Sequence, residues 1–159
     1  MNIVIILFLI IGLVAIDQVL KMIVANMMQV GETLAVISGV FHITFVKNTG
    51  AAFSVLRDKQ FFLISITFIV MLIVFVVLIK NRKKFSLALQ TSLVMIIGGG
   101  IGNLTDRIRL GYVVDYLDVR LIHFPVFNFA DCCIVIGVIL LFLVILIEER
   151  REKKTGSQL

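Results

Sequence analysis

Residues 103–131 read Asn103-Leu104-Thr105-Asp106-Arg107-Ile108-Arg109-Leu110-Gly111-Tyr112-Val113-Val114-Asp115-Tyr116-Leu117-Asp118-Val119-Arg120-Leu121-Ile122-His123-Phe124-Pro125-Val126-Phe127-Asn128-Phe129-Ala130-Asp131. Apolar runs long enough to cross a bilayer flank this stretch on both sides. Four of the chain's ten acidic residues, Asp106, Asp115, Asp118 and Asp131, crowd into it. Ionisable groups at the edge of a membrane are costly unless they are paired or used. The stretch is therefore a catalytic site, a transport site or a structural knot.

Composition sets the solvent. The 159 residues are 60% hydrophobic, with a mean hydropathy of +1.14. A soluble domain averages about 45–50% apolar residues. The excess lies in long uninterrupted runs, which makes this an integral membrane protein of one domain, residues 1–159. No internal repeat is visible, and the chain is too short for a transporter built from two large repeats. The net charge of +5 is concentrated in two clusters, Lys80 to Lys84 and Arg150 to Lys154. Basic clusters beside membrane spans mark the cytoplasmic side. They are short and lack aromatic interleaving, so nucleic acid is not the expected partner. Cys132 and Cys133 are adjacent, with neither a disulfide framework nor metal-ligand spacing, and read as small buried residues.

Spans are expected at about 3–27, 61–79, 86–104 and 128–147. The first has no basic n-region, and Asp17 and Lys21 interrupt it, so it reads as a retained helix rather than a signal peptide. Asp17 and Lys21 stand four apart on one helix face, either as an ion pair that makes two charges tolerable or as part of a site. Residues 29–60 change character. Phe41, Ile43 and Phe45 alternate with His42, Thr44 and Val46, and Asn48-Thr49-Gly50 supplies turn chemistry before a second candidate strand, Ala51 to Val55. A small interfacial β-structure is expected, with His42 a solvated strand residue. The third span carries Gly98-Gly99-Gly100 and Gly102, which permit close helix approach. Four spans leave both termini on one side, the cytoplasmic one by the basic clusters. The β region and residues 105–127 then face outward, and every unusual polar group converges on the outer leaflet boundary.

The chemistry available there is carboxylate chemistry. Asn103 and Arg107 share a face if the third helix continues, and Arg107 pairs with Asp106, with a lipid headgroup or with substrate. Asn128-x-x-Asp131 before an apolar run fits a helix N-cap with an acid in the first turn, a placement that also suits a catalytic carboxylate. Asp115 lies in an apolar setting that raises its pKa, and Asp118 is an equally acidic rival. Two carboxylates brought together share a proton, so one activates water while the other protonates a carbonyl oxygen. No serine-lysine, cysteine-histidine or metal-ligand grouping competes, and no cofactor is expected.

Five segments occur in order: Asp17-x-x-x-Lys21, Asn48-x-Gly50-Ala51-Ala52-Phe53, Gly102-Asn103-x-x-Asp106-Arg107, Val113-Val114-Asp115-Tyr116 and Phe127-Asn128-x-Ala130-Asp131. Together they resemble bacterial lipoprotein signal peptidase, or signal peptidase II. The resemblance implies a mainly α membrane protein with four transmembrane helices and a small outer-face β-cradle. It implies an aspartyl endopeptidase of the bacterial inner membrane that removes signal peptides from diacylglyceryl-modified prolipoproteins, cutting before the lipidated cysteine. On the matching motifs, Asp115 and Asp131 are the catalytic pair. Asn48, Asn103, Arg107 and Asn128 bind substrate or orient the site, and Asp17 and Lys21 support it. Membrane lipids and the cyclic peptide globomycin are the implied further partners. Tyr116 stands where the family commonly has Phe, and Cys132-Cys133 where small residues such as Ser are usual. The rival is a small proton- or ion-coupled carrier using the same carboxylates. A non-enzymatic scaffold is the third reading.

Overall fold

The computed structural model describes residues 1–50, 59–122 and 124–156, the last six as backbone only. The elements in chain order are α1 (Ile3–Met27), β1 (Thr33–Ile37), β2 (Phe41–Asn48), α2 (Gln60–Asn81), α3 (Leu87–Leu110), β3 (Val113–Val119), a 3-10 turn (Arg120–Ile122) and α4 (Phe129–Gly156). The four α-helices are long and apolar enough to cross a membrane. At about 1.5 Å per residue even the shortest span covers a hydrocarbon core about 30 Å thick.

α3 is the axis of the bundle. It is the least hydrophobic of the four spans and the most enclosed, because the other three pack around it. Its glycines explain how. A Cβ at Gly98 would meet the Leu13 side chain of α1 at 2.9 Å. One at Gly99 would run into the Ala130 carbonyl oxygen of α4, and one at Gly100 into Met71 of α2. Three successive residues therefore turn bare backbone toward three different helices, the close approach that small residues permit in a membrane. Away from the sheet, the core is Ile6, Ile10, Leu78, Leu93, Val94 and Ile97. The outer faces of α1, α2 and α4 stay apolar and exposed, as lipid-facing surfaces do; Phe68 and Phe142 are examples.

Helix ends follow local chemistry. Ser86 caps α3 by accepting from the Leu89 N–H at 3.3 Å. Gly111 ends α3 with φ of 78°, a left-handed conformation suited to glycine, while its N–H bonds the Arg107 carbonyl. α3 thus runs six residues beyond the expected end at Leu104. Asn103, Asp106 and Arg107 do not break it, because their side chains find partners inside the fold.

The sheet is antiparallel with order β1-β2-β3. β2 pairs with β1 through Thr33↔Thr44 and Leu34↔Ile43, and with β3 through His42↔Asp118, Val46↔Asp115 and Asn48↔Val113. The strand expected over Ala51 to Val55 lies outside the described residues. β1 lies inside the expected β region of residues 29–60, whereas β3 is a strand that the sequence pattern does not indicate. A second apolar cluster, Val24, Met28, Phe45, Val114 and Tyr116, joins the sheet to the end of α1. One expectation is corrected here. His42 is buried rather than solvated, because the β1–β2 turn folds back over it and the Gly39 N–H donates to its Nε2 at 3.3 Å. The chain reaches the sheet from the end of α1 and the end of α3, so sheet, residues 105–127 and the start of α4 share one end of the bundle.

Candidate active site

Asp115 sits in the middle of β3, where both faces of the strand are covered. Asp131 sits in the first turn of α4. Asn128 connects them. Its Nδ2 donates to Asp115 Oδ1 at 2.7 Å, and its Oδ1 accepts from the Asp131 N–H at 3.0 Å. The Asn128 N–H donates in return to Asp131 Oδ2 at 3.1 Å. This reciprocal pair is a capping box, so the capping expected for Asn128-x-x-Asp131 is present alongside whatever else the carboxylate does.

Each remaining oxygen has a side-chain donor. Asn48 Nδ2 donates to Asp115 Oδ2 at 2.8 Å, and Asn103 Nδ2 donates to Asp131 Oδ1 at 2.8 Å. The Asn103 amide cannot reverse. Its Oδ1 already accepts from Asn128 Nδ2 at 3.1 Å and from Lys21 Nζ at 2.8 Å, so its nitrogen must face Asp131.

Behind this layer lies a buried ionic cluster. Lys21 pairs with Asp17 at 2.9 Å and with Asp106 at 3.1 Å, all three almost fully enclosed. Asp17 also accepts the Ala130 N–H of α4 at 3.1 Å, and Asp106 accepts the Val114 N–H of β3 at 3.1 Å. The cluster thereby ties α1 and α3 to the two segments that carry Asp115 and Asp131. Gln18 closes it from the side by donating to Asp106 Oδ1 at 2.9 Å and to the Gly102 carbonyl at 3.2 Å. The sequence offers Asp106 only as a partner for Arg107 and gives Gln18 no role, although each adjoins a residue that has one.

Arg107 pairs with neither Asp106 nor another acid among the described residues. Its Nη2 donates to the Gly50 carbonyl at 3.1 Å, while its Nε is buried with no partner among the described residues. Asp118 points elsewhere. It accepts from Thr44 Oγ1 at 2.6 Å and from Arg120 Nε at 3.0 Å. Burial pushes its pKa up, but those two donors and the Arg120 charge outweigh it and hold Asp118 below the ordinary carboxylate value. Asp115 moves the other way. Burial, opposed by the Asn48 hydrogen bond and reinforced by the charge of Asp131, raises it to about 6.

Asp115 and Asp131 face a cavity of about 770 Å³ that Asn48, Asn103 and Arg107 also line. Lys47 and Thr49 add to the polar wall, and the rest is mostly apolar, including Val113, Phe124, Phe127, Ile134 and Val135. Asn128 lies fully buried beneath it. Such a space takes an extended backbone at the polar wall and an aliphatic group along α4. Among the described residues no His, Cys, Asp and Glu side chains are grouped to hold a metal ion.

The chain matches the family profile described as signal peptidase (SPase) II over residues 9–147. It is 46% identical over 128 residues to the lipoprotein signal peptidase of Halothermothrix orenii, covering 80% of this chain and 86% of the relative. It is 38% identical over 144 residues to that of Clostridioides difficile, covering 91% and 96%. A solved structure described as a bacterial membrane enzyme superposes with a TM-score of 0.85 at 33% identity, covering 92% of this chain and 90% of that one. A second, at 34% identity, gives 0.81 over 91% and 94%. With two carboxylates converging on one cavity and a match over nearly its whole length, the chain belongs to the signal peptidase II family of aspartic membrane peptidases.

Proposed function

We propose that this membrane endopeptidase removes the signal peptide from prolipoproteins carrying diacylglycerol, cutting before the modified cysteine, with Asp115 and Asp131 as its catalytic pair. One observation carries the assignment. Asn128 donates to one carboxylate and caps the other, so the two are held together at the wall of a half-apolar cavity.

The pair shares one proton at rest. Asp115, which burial and the neighbouring Asp131 charge raise to about 6, holds it. Asp131 takes a proton from water as the water attacks the scissile carbonyl carbon. Asp115 gives its proton to the carbonyl oxygen. The tetrahedral intermediate collapses as Asp131 passes that proton to the leaving nitrogen and Asp115 takes back a hydroxyl proton; the C–N bond breaks with no covalent enzyme intermediate and the pair is left with one proton again. Asn103 and Asn128 keep both carboxylates in place. Arg107 Nε, unpartnered among the described residues, binds a substrate backbone carbonyl. The acyl chains lie against Ile134 and Val135 on the lipid side of α4.

The cavity faces the outer side of a bacterial cytoplasmic membrane, with both termini inside. The basic residues Lys80 to Lys84, at the opposite end of the bundle from the sheet, support that orientation. A proton-coupled carrier would need ionisable groups continuing toward that end. The packed core there is Ile6, Ile10, Leu78, Leu93, Val94 and Ile97 instead.

Purified protein incubated with a diacylglyceryl-modified precursor should release the signal peptide, should stop when globomycin is added, and should leave the unlipidated precursor intact. Asp115→Asn and Asp131→Asn should each fold and lose activity by about 10²–10⁴-fold or more. Near wild-type cleavage by either variant would remove the dyad.

A further inference from the structure

Gln60 opens α2 at the end of the bundle that holds the cavity. Its Nε2 donates to the Thr49 carbonyl oxygen at 2.5 Å. Its Oε1 is buried and accepts from no group among the described residues. The side chain does not cap its own helix: α2 begins after Lys59 with no side-chain cap hydrogen bond. The bond reaches out of the helix to a turn eleven positions earlier in the chain.

Thr49 is the middle of that turn, just past the last β2–β3 pair, Asn48↔Val113, where no ladder bond fixes the chain. Within the turn, the Gly50 N–H donates to Asn48 Oδ1 at 2.9 Å. This sets the flip of the Asn48 amide and leaves its nitrogen to donate to Asp115 Oδ2. Arg107 holds the Gly50 carbonyl from α3, and Gln60 holds the Thr49 carbonyl from α2. Asn48 and Thr49 line the cavity, and Gln60 stands behind them. A turn at a strand end frays unless something external restrains it. An amide displaced by more than about half an ångström loses its hydrogen bond to the carboxylate.

We propose that Gln60 is a positioning residue of the peptidase site, fixing the Asn48-Thr49-Gly50 turn through the Thr49 carbonyl and thereby the amide that bonds Asp115. The inference rests on the Asp115–Asp131 reading above and adds a residue that touches neither carboxylate nor substrate.

The test is the pH dependence of kcat/KM for a lipidated precursor, measured on purified wild type, Gln60→Leu, Gln60→Met, Asn48→Ala and the double variant Asn48→Ala/Gln60→Leu. The Asn48 amide stabilises ionised Asp115, so losing it keeps the proton on to higher pH. Asn48→Ala should move the alkaline limb up by roughly half a unit, and each Gln60 variant should move it the same way. The double variant should move it no further than Asn48→Ala alone, because both act through one bond. Two apolar replacements guard against one of them failing to fold. A merely structural role would scale the profile or lower thermal stability without displacing the limb. A limb that moves with Asn48→Ala but stays put in both Gln60 variants overturns the inference and leaves the dyad standing. A limb unmoved even by Asn48→Ala removes Asp115 as the titrating acid, and the inference falls with it.

Discussion

Lys21 has three N–H donors, and the fold uses all three, on Asp17, Asp106 and Asn103. Replacing it with methionine leaves two buried carboxylates without their counter-charge and removes one of the two donors to Asn103 Oδ1. Removing one partner of a buried ion pair costs about 3–5 kcal/mol. Lys21→Met should therefore melt well below wild type in detergent and cleave poorly even where folded, as thermal denaturation and turnover by the surviving fraction would show. Asp115 makes a second expectation. Its carboxyl is raised from 3.8 to about 6, and the proposed reaction needs it protonated. Raising pH through about 6 therefore removes the acid, so kcat/KM for the free enzyme should fall over that range rather than rise. A pH-rate profile flat from 5 to 8 would contradict it. Spacing alone left Asp115 and Asp118 equivalent. They are three apart on one strand, and side chains at odd separation point to opposite sides. Had residues 113–119 been recognised as β-structure, that parity would have separated the two; instead the ordered motifs chose Asp115. Gln60 and Gln18 left no signal at all, since an amide tethering a distant carbonyl has no local pattern.

Among the elements, the α3 glycines permit the close approach expected of them, but that they face three separate neighbours is not legible, because a sequence does not say which helices will surround a span. The expected span ends at Leu104 and leaves open whether the helix continues to Arg107; it does, because the partners of Asn103, Asp106 and Arg107 come from α1, β3, α4 and the β2 turn. The glycines differ in consequence. A methyl at Gly99 meets backbone that cannot yield, whereas one at Gly100 meets the sulfur of Met71, which can swing aside. Gly99→Ala should destabilise by about 1–3 kcal/mol or prevent assembly. Gly100→Ala should be near neutral, its strain offset by a helix propensity gain of about 1 kcal/mol. Comparing the yield and melting temperature of the two variants in detergent checks the ranking. The bounds of β1 and the presence of β3 are not legible for a different reason. β1 is exposed along its whole length and β3 buried along most of its own, so neither shows the alternation that betrayed β2.

For the whole molecule, the number of spans and the presence of a small sheet were legible from hydropathy, because lipid demands long apolar runs and nothing else satisfies the backbone there. The orientation can be read directly. In a background with Cys132 and Cys133 replaced by alanine, a cysteine at exposed Ser38 in the β1–β2 turn should react with an impermeant thiol reagent in intact cells. One at exposed Lys83, between α2 and α3, should react only after lysis. The reverse pattern would invert the assignment. The buried cluster that joins α1, α3, β3 and α4 also bears on the life of the chain as it is made. Lys21 is synthesised more than a hundred residues before Asn128 and Asp131. The polar cluster therefore stays unfinished in a growing chain until the segment bearing α4 docks against α1, α3 and β3.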